Sequence, residues 1–200
     1  PHAIVDEAAQ GDLASEEQCA TLRRRIPRAL RETLMGYQEE GVLFALRRGG
    51  RVLLADEMGL GKSLQALAIA SAYAGNRAGK ESHWPLLIVC PTSMRDVWLC
   101  LVERWLPAVP PEEICVLRRS LDMVTRRLVT LVSFKMLSLL SGPLKARHLD
   151  APFKCVIVDE SHNFQLPEDR KPQRFQYFGG KAGSQPPWMR NRGGGGGGRG

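Results

Sequence analysis

Apolar residues fall along this chain in short unbroken runs, separated by stretches with helical spacing. Leu86-Leu87-Ile88-Val89-Cys90 has no polar member, which is how a strand covered on both faces looks. Val52 to Ala55, Ile114 to Leu117, Leu128 to Val132 and Phe153 to Val158 read as further strands. Between them, helical spacing joins Val42, Leu43, Ala45 and Leu46, then Leu64, Leu67, Ala68 and Ser71 to about Ala74. It returns at Val97, Trp98, Leu101, Val102 and Trp105, and at Met136, Leu137 and Leu140. Pro91-Thr92-Ser93 ends one strand, with Ser93 placed to cap the next helix. Gly75 to His83 is a polar loop, Pro107 to Pro111 a turn, and Gly142-Pro143 a stop. Strands alternating with helices predict an α/β fold: a parallel sheet with right-handed crossovers and helices on both faces.

Arg51 to Leu67 organises the rest. A strand-like run leads into Gly59-Leu60-Gly61, then Lys62-Ser63, then a helix. That layout suits a phosphate-binding loop. Glycines let backbone N–H groups approach phosphates, a helix N-terminus adds partial positive charge, lysine supplies a point charge, and a serine hydroxyl ligates magnesium. The strict pattern wants glycine where Asp56 stands, so the bland alternative, a surface helix with Lys62 solvated, stays open on this stretch alone. The run at 153–158 ends in Asp159-Glu160-Ser161-His162, ninety-seven residues after Lys62. One carboxylate there is suited to holding magnesium and its neighbour to orienting an attacking water; the bland alternative is an acidic loop. Ligands of such sheets sit at the carboxyl ends of the strands, and both motifs are expected there. Upstream, Gln38 carries an amide able to donate to and accept from an adenine edge, although a lone glutamine is more often a surface residue. The tryptophan stripe at 98 and 105 suits base stacking or, better, core packing.

Asp56-Glu57-Met58-Gly59-Leu60-Gly61-Lys62-Ser63 and Asp159-Glu160-Ser161-His162 together resemble the nucleotide motifs of Swi/Snf-family helicase-like ATPases. Asp56 in place of glycine is normal for that family. Tyr37-Gln38 resembles its adenine-side glutamine, and Pro91-Thr92-Ser93 and Val132-Ser133-Phe134 resemble segments that touch the DNA backbone. Trp84 to Val89, Arg104 to Pro107 and Ala151 to Lys154 are most similar to the HepA-related (SMARCA-like) annealing helicases within it. The resemblance covers about residues 26 to 164. It implies the RecA-like, ATP-binding lobe of a DNA translocase, nuclear, using ATP and Mg2+. Gln38 and residues 56 to 63 would then bind the nucleotide, Lys62 the outer phosphates, and Ser63 and Asp159 the metal. Glu160 would position water and His162 couple the nucleotide site to the DNA side, where Thr92, Ser93, Ser133 and Phe134 lie. The family also uses a second RecA-like lobe with arginines and a later Ser/Thr motif. Neither is found here, so the lobe is expected to be incomplete at its C-terminal end and to bind nucleotide with little or no hydrolysis alone. An RNA helicase is a weaker alternative, since RNA helicases carry alanine at the Ser161 position.

Charge changes the picture only at the end of the chain. The net charge is +7, but from Gln165 onward seven Lys or Arg face two Asp or Glu, so the body is nearly neutral. Residues 165–200 hold ten of the twenty glycines, end in RGGGGGGRG and read as a disordered tail. Such a tail could bind single-stranded nucleic acid, which makes a non-catalytic nucleotide- or nucleic-acid-binding fragment the second reading. Residues 1–25, with Arg23, Arg24 and Arg25, read as a linker or the end of an upstream region. The chain begins with Pro1 and reads as a fragment. No apolar run approaches the ~18 residues of a membrane span. Five cysteines without a C-x-x-C pair suggest reduced thiols in a soluble intracellular protein, with Cys90, Cys115 and Cys155 in apolar runs.

Overall fold

The computed structural model describes residues 14–75, 83–119, 127–139 and 153–163. Four strands form one parallel sheet: β1 (Leu86–Cys90), β2 (Ile114–Leu117), β3 (Val129–Ser133) and β4 (Cys155–Val158), in the order β2-β3-β1-β4. Five helices accompany them: α1 (Glu16–Arg25), α2 (Arg28–Thr33), α3 (Gly36–Arg47), α4 (Lys62–Ala72) and α5 (Arg95–Trp105). Residues 134–139 are helical as well.

The two-residue period of β1 sorts its side chains. Leu86, Ile88 and Cys90 join one core with Leu67, Ala68, Trp98 and Val102 of α4 and α5. Leu87 and Val89 join a second with Leu117, Val132 and Met136. The sheet is therefore covered on both faces, and an unbroken apolar run is what such a central strand requires. A parallel sheet with a core on each face is the expected RecA-like α/β arrangement.

Several elements differ from expectation. Val52 to Ala55 is not a strand. Val52 and Leu54 pack against the core while Leu53 is 65% exposed. A strand needs a ladder partner, and among the described residues β4 pairs with β1 alone, so nothing carries hydrogen bonds across to residues 52–55. β3 sits one residue later than the apolar run suggested, and β4 begins only at Cys155. Ser93 does not cap α5: Thr92–Met94 is a 3-10 turn, and the helix starts from Met94 without a side-chain cap.

The stretch expected to be a linker or the end of an upstream region contains α1. Ser15 and Gln18 form a reciprocal capping box, with Gln18 N–H donating to Ser15 Oγ at 3.2 Å and Ser15 N–H to Gln18 Oε1 at 2.9 Å. The three arginines occupy the last helical turn, where positive charge suits the helix dipole. Arg23 pairs with Glu39 of α3, and Cys19 is buried in the core. The loop after Gly75, the stop at Gly142-Pro143 and the tail at 165–200 lie outside the described residues. Among the described residues no helix is long and apolar enough to cross a membrane.

All five cysteines are free, but they are not equally covered: Cys19 and Cys90 are buried, Cys115 and Cys155 half-buried, and Cys100 exposed. Burial, reinforced by the Asp159 charge, pushes the Cys90 thiol up to about 11, and burial pushes Cys155 up to about 12. Alkylation requires the thiolate. At pH 8 Cys100 is therefore expected to react first, with Cys90 and Cys155 slower by about tenfold or more per unit by which their thiols lie above the ordinary value. Mass spectrometry after a short iodoacetamide pulse checks this order; early labelling of Cys90 would contradict the burial of β1.

Candidate functional site

The glycine turn is built by two left-handed residues. Gly59 has φ 86° and Gly61 φ 74°. Gly61 is the N-cap of α4, and no side chain caps that first turn. An uncapped helix start leaves backbone N–H groups pointing outward, the ordinary basis of anion binding at helix N-termini. Lys62 turns its ammonium back onto the loop, donating to the Asp56 carbonyl at 2.7 Å and the Glu57 carbonyl at 2.9 Å. The lysine is thus half-buried inside the loop and is not a solvated surface charge. Ser63 follows on the first turn, also half-exposed. Met58 is 89% exposed and Leu60 is at the exposed edge of the loop.

Two glutamines hold this loop from behind. Gln38 is buried; its Nε2 donates to the Leu60 carbonyl at 2.9 Å, and its Oε1 accepts from Met35 N–H at 2.9 Å. The amide expected to face an adenine therefore ties the start of α3 to the loop, with Tyr37 Oη donating to the same Leu60 carbonyl at 3.2 Å. Gln65, 1% exposed, donates from Nε2 to Asp56 Oδ2 at 2.8 Å. That bond gives Asp56 a task glycine could not perform: it pins the entry of the loop to α4. Sequence reading missed Gln65. Its one signal was a polar residue on the apolar side of a helix, between Leu64 and Leu67.

Asp159 and Glu160 directly follow β4, which α4 packs against. The Asp159 N–H donates to the Val89 carbonyl at 2.8 Å, extending the ladder by one residue and fixing where its side chain leaves the sheet. Asp159 Oδ2 accepts a 2.8 Å hydrogen bond from the indole Nε1 of Trp98. Glu160 has φ 51°, a left-handed conformation uncommon for a side-chain-bearing residue and one that recurs at functional sites. Its Oε2 lies 3.3 Å from Nδ1 of His162, and both side chains are exposed.

On the neighbouring strand ends, Thr92 and Ser93 are exposed after β1. Ser133 is buried, and its Oγ accepts from Met136 N–H at 3.3 Å, capping the helical residues 134–139. Phe134 is half-buried against the second core. Of the four residues expected on a DNA side, Thr92 and Ser93 thus present free surface and Ser133 and Phe134 are committed to packing.

Among the described residues no three His, Cys, Asp or Glu side chains cluster to enclose a metal. The Ser63 hydroxyl and the Asp159 carboxylate are hard-oxygen donors of the kind that suits magnesium, which keeps several waters and takes phosphate oxygens rather than a full protein cage.

Comparison with known proteins supplies the family. A model of the SNF2-related domain matches residues 37–177. The chain belongs to the SNF2-related domain family. It is a helicase-like ATPase domain of that family, and the match spans the loop, β1 to β4 and both carboxylates. A bovine SWI/SNF-related matrix-associated actin-dependent regulator of chromatin subfamily A-like protein 1 is 44% identical over 138 residues, covering 69% of this chain and 13% of that protein. The human DNA annealing helicase and endonuclease ZRANB3 is 40% identical over 139 residues, covering 68% of this chain and 12% of that protein. A Drosophila melanogaster relative of the first is 32% identical over 165 residues, or 82% of this chain and 20% of its own length. The SNF2-related domain described here thus spans a small part of the length of these relatives.

Proposed function

We propose that this chain is the nucleotide-binding lobe of a DNA-dependent ATPase, holding Mg2+·ATP between the loop at 56–63 and Asp159-Glu160. One observation carries the reading: Lys62 sits inside a left-handed glycine turn beneath an uncapped helix start, its ammonium donating only to loop carbonyls. Phosphate oxygens are better acceptors for that ammonium than neutral carbonyls, because both partners are then charged. Lys62 and the first N–H groups of α4 bind the phosphates, and Ser63 and Asp159 hold the metal. When bound, Mg2+ supplies neutralisation of phosphate charge. Glu160 orients the attacking water and accepts its proton, and His162 beside it carries the link toward the DNA side. Gln38 and Gln65 keep the loop in shape. Thr92 and Ser93 contact the DNA backbone.

The relatives named for DNA annealing and for chromatin support a DNA substrate and a nuclear location. Phosphoryl transfer is accelerated by about 10³–10⁵ when an arginine stabilises the transferring group. Turnover by this chain alone is expected to be very slow, because the resemblance assigns the arginines to a second lobe. Equilibrium titration of the whole chain with a fluorescent ADP analogue and Mg2+ tests the reading. Saturable binding, competed by ATP, is the expected result; no binding would overturn it. A DNA-stimulated turnover at the ~1–100 s⁻¹ of ordinary phosphoryl-transfer enzymes would overturn the statement about slow hydrolysis.

A further inference from the structure

Trp98 lies on α5 with 1% of its surface exposed, and its indole is the one hydrogen-bond donor that reaches an Asp159 side-chain oxygen among the described residues. The contact joins positions 61 residues apart, so neither helix propensity nor strand pattern requires it. A phenylalanine or leucine would fill the same core between α4, α5 and β1. What only tryptophan adds is a fixed N–H donor with no acceptor character. Asp159 Oδ1 has no partner among the described residues, so the indole occupies one carboxylate oxygen and leaves the other open.

We propose that Trp98 is a positioning residue for metal binding: its indole N–H holds Oδ2 of Asp159, setting the rotamer in which Oδ1 is presented to Mg2+. This rests on the reading of Asp159 as a metal-holding carboxylate. The bond matters because a carboxylate at a strand end is otherwise free to rotate about its side-chain torsions. A buried donor on α5, packed in the main core, removes that freedom before the cation arrives. Partners that orient a metal-binding carboxylate typically contribute about 10–100-fold to metal affinity. The arrangement also places the helix that follows Thr92–Met94 in direct contact with the carboxylate.

The test compares wild type with Trp98→Phe, which keeps an aromatic ring and removes the N–H. A fluorescent ADP analogue is titrated with Mg2+ and again with excess chelator. The expected result is equal affinity without Mg2+ and a loss of about 10–100-fold in the Mg2+-dependent gain. In an Asp159→Ala background, Trp98→Phe is expected to have no further effect on that gain. An unchanged gain in Trp98→Phe, or an equal loss with and without Mg2+, overturns the proposal. If Trp98→Phe does not fold, the wild type labelled with 15N at its indoles decides. The Trp98 signal, assigned by replacing Trp84, Trp105 and Trp188 in turn, is expected to move on adding Mg2+·ADP and to stay in place in Asp159→Ala. A Trp98 signal indifferent to Mg2+·ADP in a wild type that binds it overturns the proposal. Failure of the wild type to bind nucleotide at all faults the functional reading instead, and with it the premise about Asp159.

Discussion

Lys62→Ala is expected to weaken ATP binding by about 100-fold while leaving the chain folded. The ammonium gives two donors to the loop, to the carbonyls of Asp56 and Glu57. Redirected to phosphate oxygens, each becomes a hydrogen bond between charged partners, worth about 1.5–3 kcal/mol. Two at the lower limit come to about 3 kcal/mol, or roughly two decades in affinity. The folded state loses less. The two carbonyls left without the lysine belong to half-exposed and exposed residues, where water substitutes for the donor. A melting temperature within a few degrees of wild type, alongside the lost affinity, separates a ligand-binding lysine from one that only braces the loop. Equal affinity in Lys62→Ala and wild type would leave Lys62 as a cation that only braces the loop.

Gly61→Ala is expected to cost stability as well as binding. At φ 74° a side-chain-bearing residue pays about 1–2 kcal/mol for the left-handed conformation. The added Cβ would also stand 2.3 Å from Gln38 Nε2, too close for either to remain in place. Moving the Gln38 amide breaks its bonds to the Leu60 carbonyl and from Met35 N–H, at about 1 kcal/mol each. The total of about 3–4 kcal/mol corresponds to a fall in melting temperature of roughly 6–16 °C for a chain of this size. Thermal unfolding followed by circular dichroism checks it. Adding Gln38→Ala relieves the clash and leaves the backbone strain, so the double variant is expected to melt no lower than Gly61→Ala alone. If Gly61→Ala melts like wild type, neither the strain nor the contact behind the loop is real.

The sheet was legible because burial on both faces leaves a plain mark. A strand with cores on either side carries few polar residues, so the run at 86–90 could be little else, and β2 and β4 carried weaker versions of the same mark. The loop was legible because its chemistry is local: two glycines, a lysine and a serine within five residues. Val52 to Ala55 shows where that reasoning stops. Its composition suits a strand, but strand formation depends on a partner supplied by another part of the chain, and among the described residues none pairs with it. Residues 16–25 failed in the other direction. Their charge suggested a linker, while the capping box of Ser15 and Gln18 and the burial of Cys19 make a docked helix.

The sequence by itself determined the alternation of strands and helices, the position of the glycine loop, and the carboxylates after β4. Each of these follows from short-range spacing. Only the tertiary structure decided that Gln38 braces the loop, that Gln65 binds Asp56, that Ser133 caps a helix and that Trp98 donates to Asp159. All four are made by side chains, and two of them join residues 22 and 61 positions apart. Their partners are chosen by which elements the fold brings together, because a buried polar group must find a hydrogen-bond partner wherever packing leaves it.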